Sequence, residues 1–235
     1  MGTLVGVDGC KTGWVAASIR DNEVEPSFTV LDSPAAILYR FPSPSVIAVD
    51  IPIGLTDIGP RTCDREARRV LGSPRASSVF PAPIRPVLGA SSREEASRIH
   101  KDRDGRGFGA QSWAILPRIQ LWDSTLRENP DRMPEVYEAH SEVCFWALNG
   151  EQPVSAGKKT AAGHSARRQL LASAFGPEPI DSVLRATHLT GVAVDDIFDA
   201  LVALWTAQRI ASGAARTIPA VPPVDRFGLQ MAMWY

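Results

Sequence analysis

The stretch Leu4-Val5-Gly6-Val7-Asp8-Gly9-Cys10-Lys11-Thr12-Gly13-Trp14 constrains the fold more than any other part of the chain. Val5 and Val7 give the β-branched run of a buried strand, and the run stops on a carboxylate. Gly9 and Gly13 permit a tight turn, after which Trp14 to Ile19 runs back as a second strand. An aspartate at the end of a central strand sits where a sheet opens to solvent, and the strand holds it rigidly toward a ligand. The expectation is that the fold brings further carboxylates to Asp8.

Phe28 to Leu31 reads as a third strand, and Pro34 to Tyr39 as a short helix with Ser33 as cap and proline in its first turn. Val46 to Asp50 is another apolar strand that ends in aspartate. One such Asp is usually a turn former or cap; two are the first sign of a site. Gly109 to Asn129 has helical apolar spacing, with Pro117 as an expected kink. Val136 to His140 reads as a strand carrying Glu138, and Ser141 to Trp146 continues as a short helix or strand. Lys158, Lys159 and Thr160 form a polar loop before a helix with Arg167 and Arg168. The last long helix begins near Val194, and Asp196 and Asp199, three apart, share a face. Capping and the helix dipole account for Asp195. Asp199 lies among apolar positions and needs a cation or a donor nearby. Arg226 to Trp234 reads as an edge strand.

Between residues 61 and 106 ten Arg and one Lys face six acids, in a chain whose overall formal charge is −1. Arg61, Arg65, Arg68 and Arg69 fall at helical spacing, which predicts one basic helix face. That stretch is either a solvated insertion with locally paired charges or a surface that grips phosphates. Arg103 to Gly109, rich in Arg and Gly, is expected to be a loop. The overall balance gives no pointer to nucleic acid or to a membrane. Cys10, Cys63 and Cys144 are odd in number and widely spaced, which argues against a disulfide framework or zinc cluster and fits a reducing cytoplasm. No apolar run is long enough for a bilayer span, and no secretory leader is expected.

A strand ending in Asp, a returning hairpin, a second strand ending in Asp and a C-terminal Asp196-x-x-Asp199-Ala200-Leu201 helix resemble the ribonuclease H-like fold. The ending is most similar to RuvC-type Holliday junction resolvases. The closer resemblance is to the DUF429 family of ribonuclease H-like nucleases. It rests on Val5 to Trp14, Val49-Asp50-Ile51-Pro52-Ile53-Gly54-Leu55, Arg61-x-Cys63-Asp64-x-Glu66-Ala67-Arg68 and Ser77-Ser78-Val79-Phe80-Pro81-Ala82-Pro83. It continues in Glu138-x-His140-x-Glu142-x-x-Phe145, Lys158-Lys159-Thr160 and Asp195-Asp196-x-x-Asp199-Ala200. Ser141 stands where the family's H-P-E stretch has proline. The resemblance implies a single α/β domain over residues 1–235: a mixed sheet flanked by helices, with an Arg-rich helical insertion at about residues 58–130.

It further implies a metal-dependent nuclease with Mg2+ or Mn2+ as cofactor and nucleic acid as partner, leaving a homodimer open. Two ions about 3.5–4 Å apart can clamp the attacking and leaving oxygens of a phosphodiester. Hard ions take carboxylate oxygens, which accounts for acids in place of His or Cys. On this reading Asp8 bridges, Asp50 or Glu138 holds one ion, and Asp196 and Asp199 hold the other, with Glu142 in reserve. Lys159 stabilises phosphate charge, His140 or His164 moves protons, and Lys11, Arg61, Arg65, Arg68 and Lys158 contact substrate. Two other readings stay open. One is a nucleotide-binding phosphotransferase or ATPase of the actin-like and sugar-kinase architecture, where the Gly9-to-Gly13 turn would cradle phosphates. The other is a binding protein that kept the fold without catalysis.

Overall fold

Alternation along β1 (Thr3–Cys10) decides how the layers stack. In the computed structural model, which describes residues 2–20, 23, 25–178, 180–181 and 191–235, Val5 and Val7 face one layer of helices. Leu4, Gly6 and Asp8 face the other, because successive strand residues point to opposite sides. β2 (Gly13–Ile19) returns antiparallel to β1, and β3 (Ser27–Leu31) pairs antiparallel to β2. β4 (Ser45–Asp50), β5 (Val136–Ala139) and β7 (Met233–Trp234) extend the sheet in parallel, and β6 (Thr217–Ile218) closes it antiparallel to β7. The order of the seven strands is β3-β2-β1-β4-β5-β7-β6. This is a mixed α/β sheet flanked by helices, compatible with a ribonuclease H-like fold.

On the Val5 and Val7 face lie α1 (Pro34–Arg40) and α4 (Ala110–Glu128), which contribute Ile37, Leu38, Ile119, Trp122 and Leu126 to one core. Ser33 caps α1 by accepting from the Ala36 N–H, as its sequence suggests. The opposite face is covered by α5 (Ser141–Leu148), α6 (Ala161–Phe175) and α7 (Val194–Ala211). α7 packs so closely on β1 that a Cβ on Gly6 would lie 2.0 Å from the Leu204 nitrogen and 2.2 Å from the Ala200 carbonyl oxygen.

Between β4 and β5 the basic stretch folds into α2 (Thr62–Arg75) and α3 (Arg93–Asp104). Ile84, Val87, Ala96, Phe108 and Leu116 form a small core beneath it. α3 runs through Arg103 and Asp104 and stops at Gly105, whose left-handed backbone (φ +73°) needs no Cβ, so the expected loop is shorter. α4 continues through Pro117, and the break falls instead in α2, where Gly72 and Ser73 have non-helical backbone.

The segment from Arg226 is not the edge strand expected from sequence. Only Met233 and Trp234 join the sheet, between β5 and β6, while Gln230 makes an isolated antiparallel bridge with Val224. The preceding residues wrap around buried Asp225. One oxygen of Asp225 accepts from the Phe227 and Leu229 N–H groups at 2.8 and 3.0 Å. The other accepts from the Leu55 N–H at 3.1 Å and from Arg85, which also pairs with Asp123. No described helix is long and apolar enough to cross a membrane.

Candidate metal and phosphate site

Parallel register brings the strand-end aspartates side by side. Val7 is opposite Val49 across β1 and β4, so Asp8 and Asp50 follow on the same level and the same face. α7 crosses that face over Gly6 and adds Asp196 and Asp199 from its first turns. The four aspartates line one cleft of about 460 Å³. Two of the carboxylates are fixed by backbone N–H groups. Asp50 accepts from the Ser141 N–H at the start of α5 (3.1 Å), and Asp196, in the first turn of α7, reaches back to accept from the N–H of the N-cap residue Ala193 (2.9 Å). Asp195, which capping seemed to explain, pairs instead with His164 at 2.6 Å.

Gathering like charges has an electrostatic consequence. Burial, followed by the nearby Asp199 and Asp50 carboxylates, raises Asp8 well above the ordinary carboxylate value. Burial also pushes Asp199 up to about 7, with Lys158 pulling against it and Asp50 adding to it. Lys158 Nζ donates to Asp199 at 3.1 Å, and that carboxylate holds the ammonium above its usual range. The lysine is aimed by its loop. Thr160 accepts from the Gly163 N–H to cap α6 and donates to the Gly157 carbonyl, and the backbone at Gly157 sits where a Cβ on Gly163 would be.

A carboxyl whose folded pKa is raised binds more protons folded than unfolded, so stability falls as pH rises between the two values. For Asp199 that window runs from the ordinary 3.8 to about 7. In metal-free protein the urea midpoint should therefore drop across it, and Asp199→Asn should flatten the drop. Equal slopes in both proteins would mean that Asp199 ionises normally.

The remaining sequence-derived candidates divide clearly. Glu138 is opposite Val49, not Asp50, so alternation turns it to the other side of the sheet, and it borders the cleft only at the strand end, beside Arg61. Arg61 takes both of its oxygens at 2.6 and 2.8 Å, and the Ile53 N–H adds a third bond. Arg61 itself is not on a basic helix face. It precedes α2, is 1 % exposed and also pairs with Asp64 at 2.6 Å. Cys63, Asp64 and Glu138 do offer ligand atoms within 4.8 Å of one another, but the Arg61 guanidinium already answers both acids. Arg65 and Arg68 are exposed on α2, and Lys11 is exposed on the β1–β2 turn. Of the two loop lysines, Lys158 reaches the carboxylates while Lys159 is exposed. Glu142 borders the cleft but pairs with buried Arg167. His140 lines the cleft with a buried, unbonded Nδ1, and His164 lies outside it against Phe198.

Sequence reasoning missed Arg118, Arg75 and Phe80 as parts of the cleft wall. Arg118 donates to the Cys10 carbonyl at 2.5 Å and lies 5.5 Å from the Trp14 ring centre. Its position in an otherwise apolar helical stretch was the available signal. Compared with known families, residues 6–224 match the model of a family described as a protein of unknown function, DUF429. No curated protein and no solved structure matches.

Proposed function

The chain belongs to the DUF429 family, whose description gives no activity, and from the site itself we propose a metal-dependent nuclease. The observation that carries the reading is the meeting of four aspartates from β1, β4 and α7 in one cleft, with Lys158 the one cation paired to them among the described residues. Three negative charges around Asp8 are costly without a counter-ion. The donors are all carboxylate oxygens, which suits Mg2+ or Mn2+ and not a soft ion.

Asp8, Asp50, Asp196 and Asp199 are the residues that would hold the ion or ions; Glu138, committed to Arg61, is left out. When bound, such an ion supplies Lewis-acid stabilisation to a phosphodiester undergoing in-line displacement. The chain's own contribution is positioning. β1 and β4 fix two carboxylates, and the α7 cap fixes a third. Lys158 places a positive charge beside Asp199, where a substrate phosphate would lie. His140, with an unbonded ring nitrogen at the cleft, is the residue suited to carry a proton.

Titration calorimetry with Mn2+ tests the reading directly. Wild type should bind, and Asp8→Asn should lose at least about tenfold in affinity. Labelled DNA, RNA, junction and ATP substrates then separate the activities. Mn2+-dependent cleavage of a polynucleotide that disappears in Asp8→Asn is the expected result. No Mn2+ binding at millimolar concentration, or turnover of ATP alone, would overturn the nuclease.

A further inference from the structure

The cleft has a second wall that the aspartates do not explain. It is made by Phe80, Arg75 and Arg118, all contributed by the chain between β4 and β5. Neither arginine pairs with a carboxylate among the described residues, although the cleft they line is rich in acid. Arg75 Nε is buried and has no hydrogen-bond partner there. Arg118 is steered by its bond to the Cys10 carbonyl. One of its nitrogens lies against Gly9, 2.0 Å from where a Cβ would sit, so the guanidinium is held at the end of β1 that borders the cleft. Two guanidiniums without acidic partners beside a carboxylate cluster are an arrangement that an anionic ligand completes.

Phe80 is presented just as deliberately. A single exposed aromatic residue is ordinary on a protein surface. Here, however, Phe80 is 37 % exposed while the backbone on both sides of it is pinned. Arg68 donates to the Val79 carbonyl at 2.6 Å, and Val79 itself is fully buried. The Ala82 N–H donates to Asp64 at 3.0 Å, which ties the loop to the buried Arg61 cluster. Pro81 and Pro83 stiffen what lies between and beyond. An aromatic face held rigidly at a charged cleft is the usual platform for a nucleobase, and stacking there tolerates any base.

We propose that Phe80, Arg75 and Arg118 form a subsite for one unpaired nucleotide, with its base on Phe80 and its phosphate on the two guanidiniums. The inference rests on the nuclease reading for the fate of that phosphate, and it narrows the substrate class. A base stacked face-on against Phe80 has left its own stack, and a cleft of about 460 Å³ has room for one nucleotide. The unpaired unit comes either from a single strand or from a free nucleotide.

The test is fluorescence anisotropy in Ca2+ buffer with a labelled oligothymidylate, a blunt duplex of equal length and thymidine monophosphate as competitor. Single strand should bind at least about tenfold tighter than duplex. Phe80→Ala should weaken single-strand binding by about tenfold or more, in the range that base stacking supplies. Phe80→Trp should restore it, which separates stacking from a folding defect. Arg118→Met should weaken it as well. Competition by the monophosphate would assign the subsite to free nucleotides too, and its failure would assign it to strands. Indifference to Phe80, equal or tighter duplex binding, or no binding of either oligonucleotide or monophosphate by wild type would overturn the subsite. Mn2+ calorimetry on Phe80→Ala keeps the two readings apart. The variant should bind the ion as wild type does, whereas a wild type that binds no Mn2+, or turns over ATP alone, removes the nuclease.

Discussion

Arg61→Met should cost the fold about 3–5 kcal/mol, the usual penalty for removing one partner of a buried ion pair. The guanidinium is fully enclosed, spans Glu138 and Asp64 and also donates to the Ile53 and Gly54 carbonyls. Without it, two acids and two carbonyl groups are left in the interior with too few donors. Arg61→Lys should recover little, because a single ammonium cannot fork across two carboxylates and reach the carbonyls as well. Glu138, already pushed up to about 7 by burial although Arg61 pulls it down, should take up a proton more readily in the variant. The deficit should therefore narrow as pH falls toward about 7, below which Glu138 is protonated in wild type as well. Urea denaturation of wild type and both variants at two pH values measures this. A cost below about 1 kcal/mol for Arg61→Met would show that the cluster does not hold the loop after β4.

Gly6→Ala is the second large effect expected. A Cβ at that position would lie 2.0–2.7 Å from backbone atoms of Ala200, Ala203 and Leu204, and backbone cannot move aside as a side-chain tip can. Relief requires α7 to lift from β1, at about 3 kcal/mol, the upper end of the usual overpacking cost. The lift would also separate Asp199 from Asp8, because one helix carries both the contact and the carboxylate. Stability and Mn2+ affinity should therefore fall together. Asp8→Asn offers the contrast, since it removes a ligand and relieves repulsion without touching the packing. If Gly6→Ala folds with wild-type stability and binds Mn2+ normally, the close approach is not what sets the spacing of the carboxylates.

Much of this architecture was legible in the chain. The β-branched runs ending in Asp8 and Asp50, the Ser33 cap and the apolar spacing of α4 and α7 are local signals, and local periodicity reads them. What local signals do not carry is register. Whether Glu138 joins Asp50 or turns away depends on a one-residue choice of pairing between β4 and β5, and a slip of one residue reverses every side chain. Arg61 was misread for a related reason. Its spacing to Arg65 and Arg68 is helical, but the helix begins one residue later, and its partner Glu138 lies far along the chain. The C-terminal strand was overextended because Asp225 bonds to its own backbone neighbours, and this short-range turn competes with pairing. Lys158 and Lys159 could not be separated before the turn closed by Thr160 was known.

The Asp225 latch has a bearing on timing. When α7 has emerged from the ribosome, all four aspartates of the cleft have been made. The loop that follows Asp50, held by Arg61 at Ile53 and Gly54, still lacks its second anchor, because the bond to Leu55 and the ion pair to Arg85 both come from residue 225. Strands β6 and β7, which cover the far side of β5, are also still to be made. Contacts between chain segments this distant form late, after the intervening loops have been closed. A nascent chain would thus hold an acidic cluster with a slack wall for the seconds that synthesis of the last strands requires, and the cleft would take its working shape only afterwards.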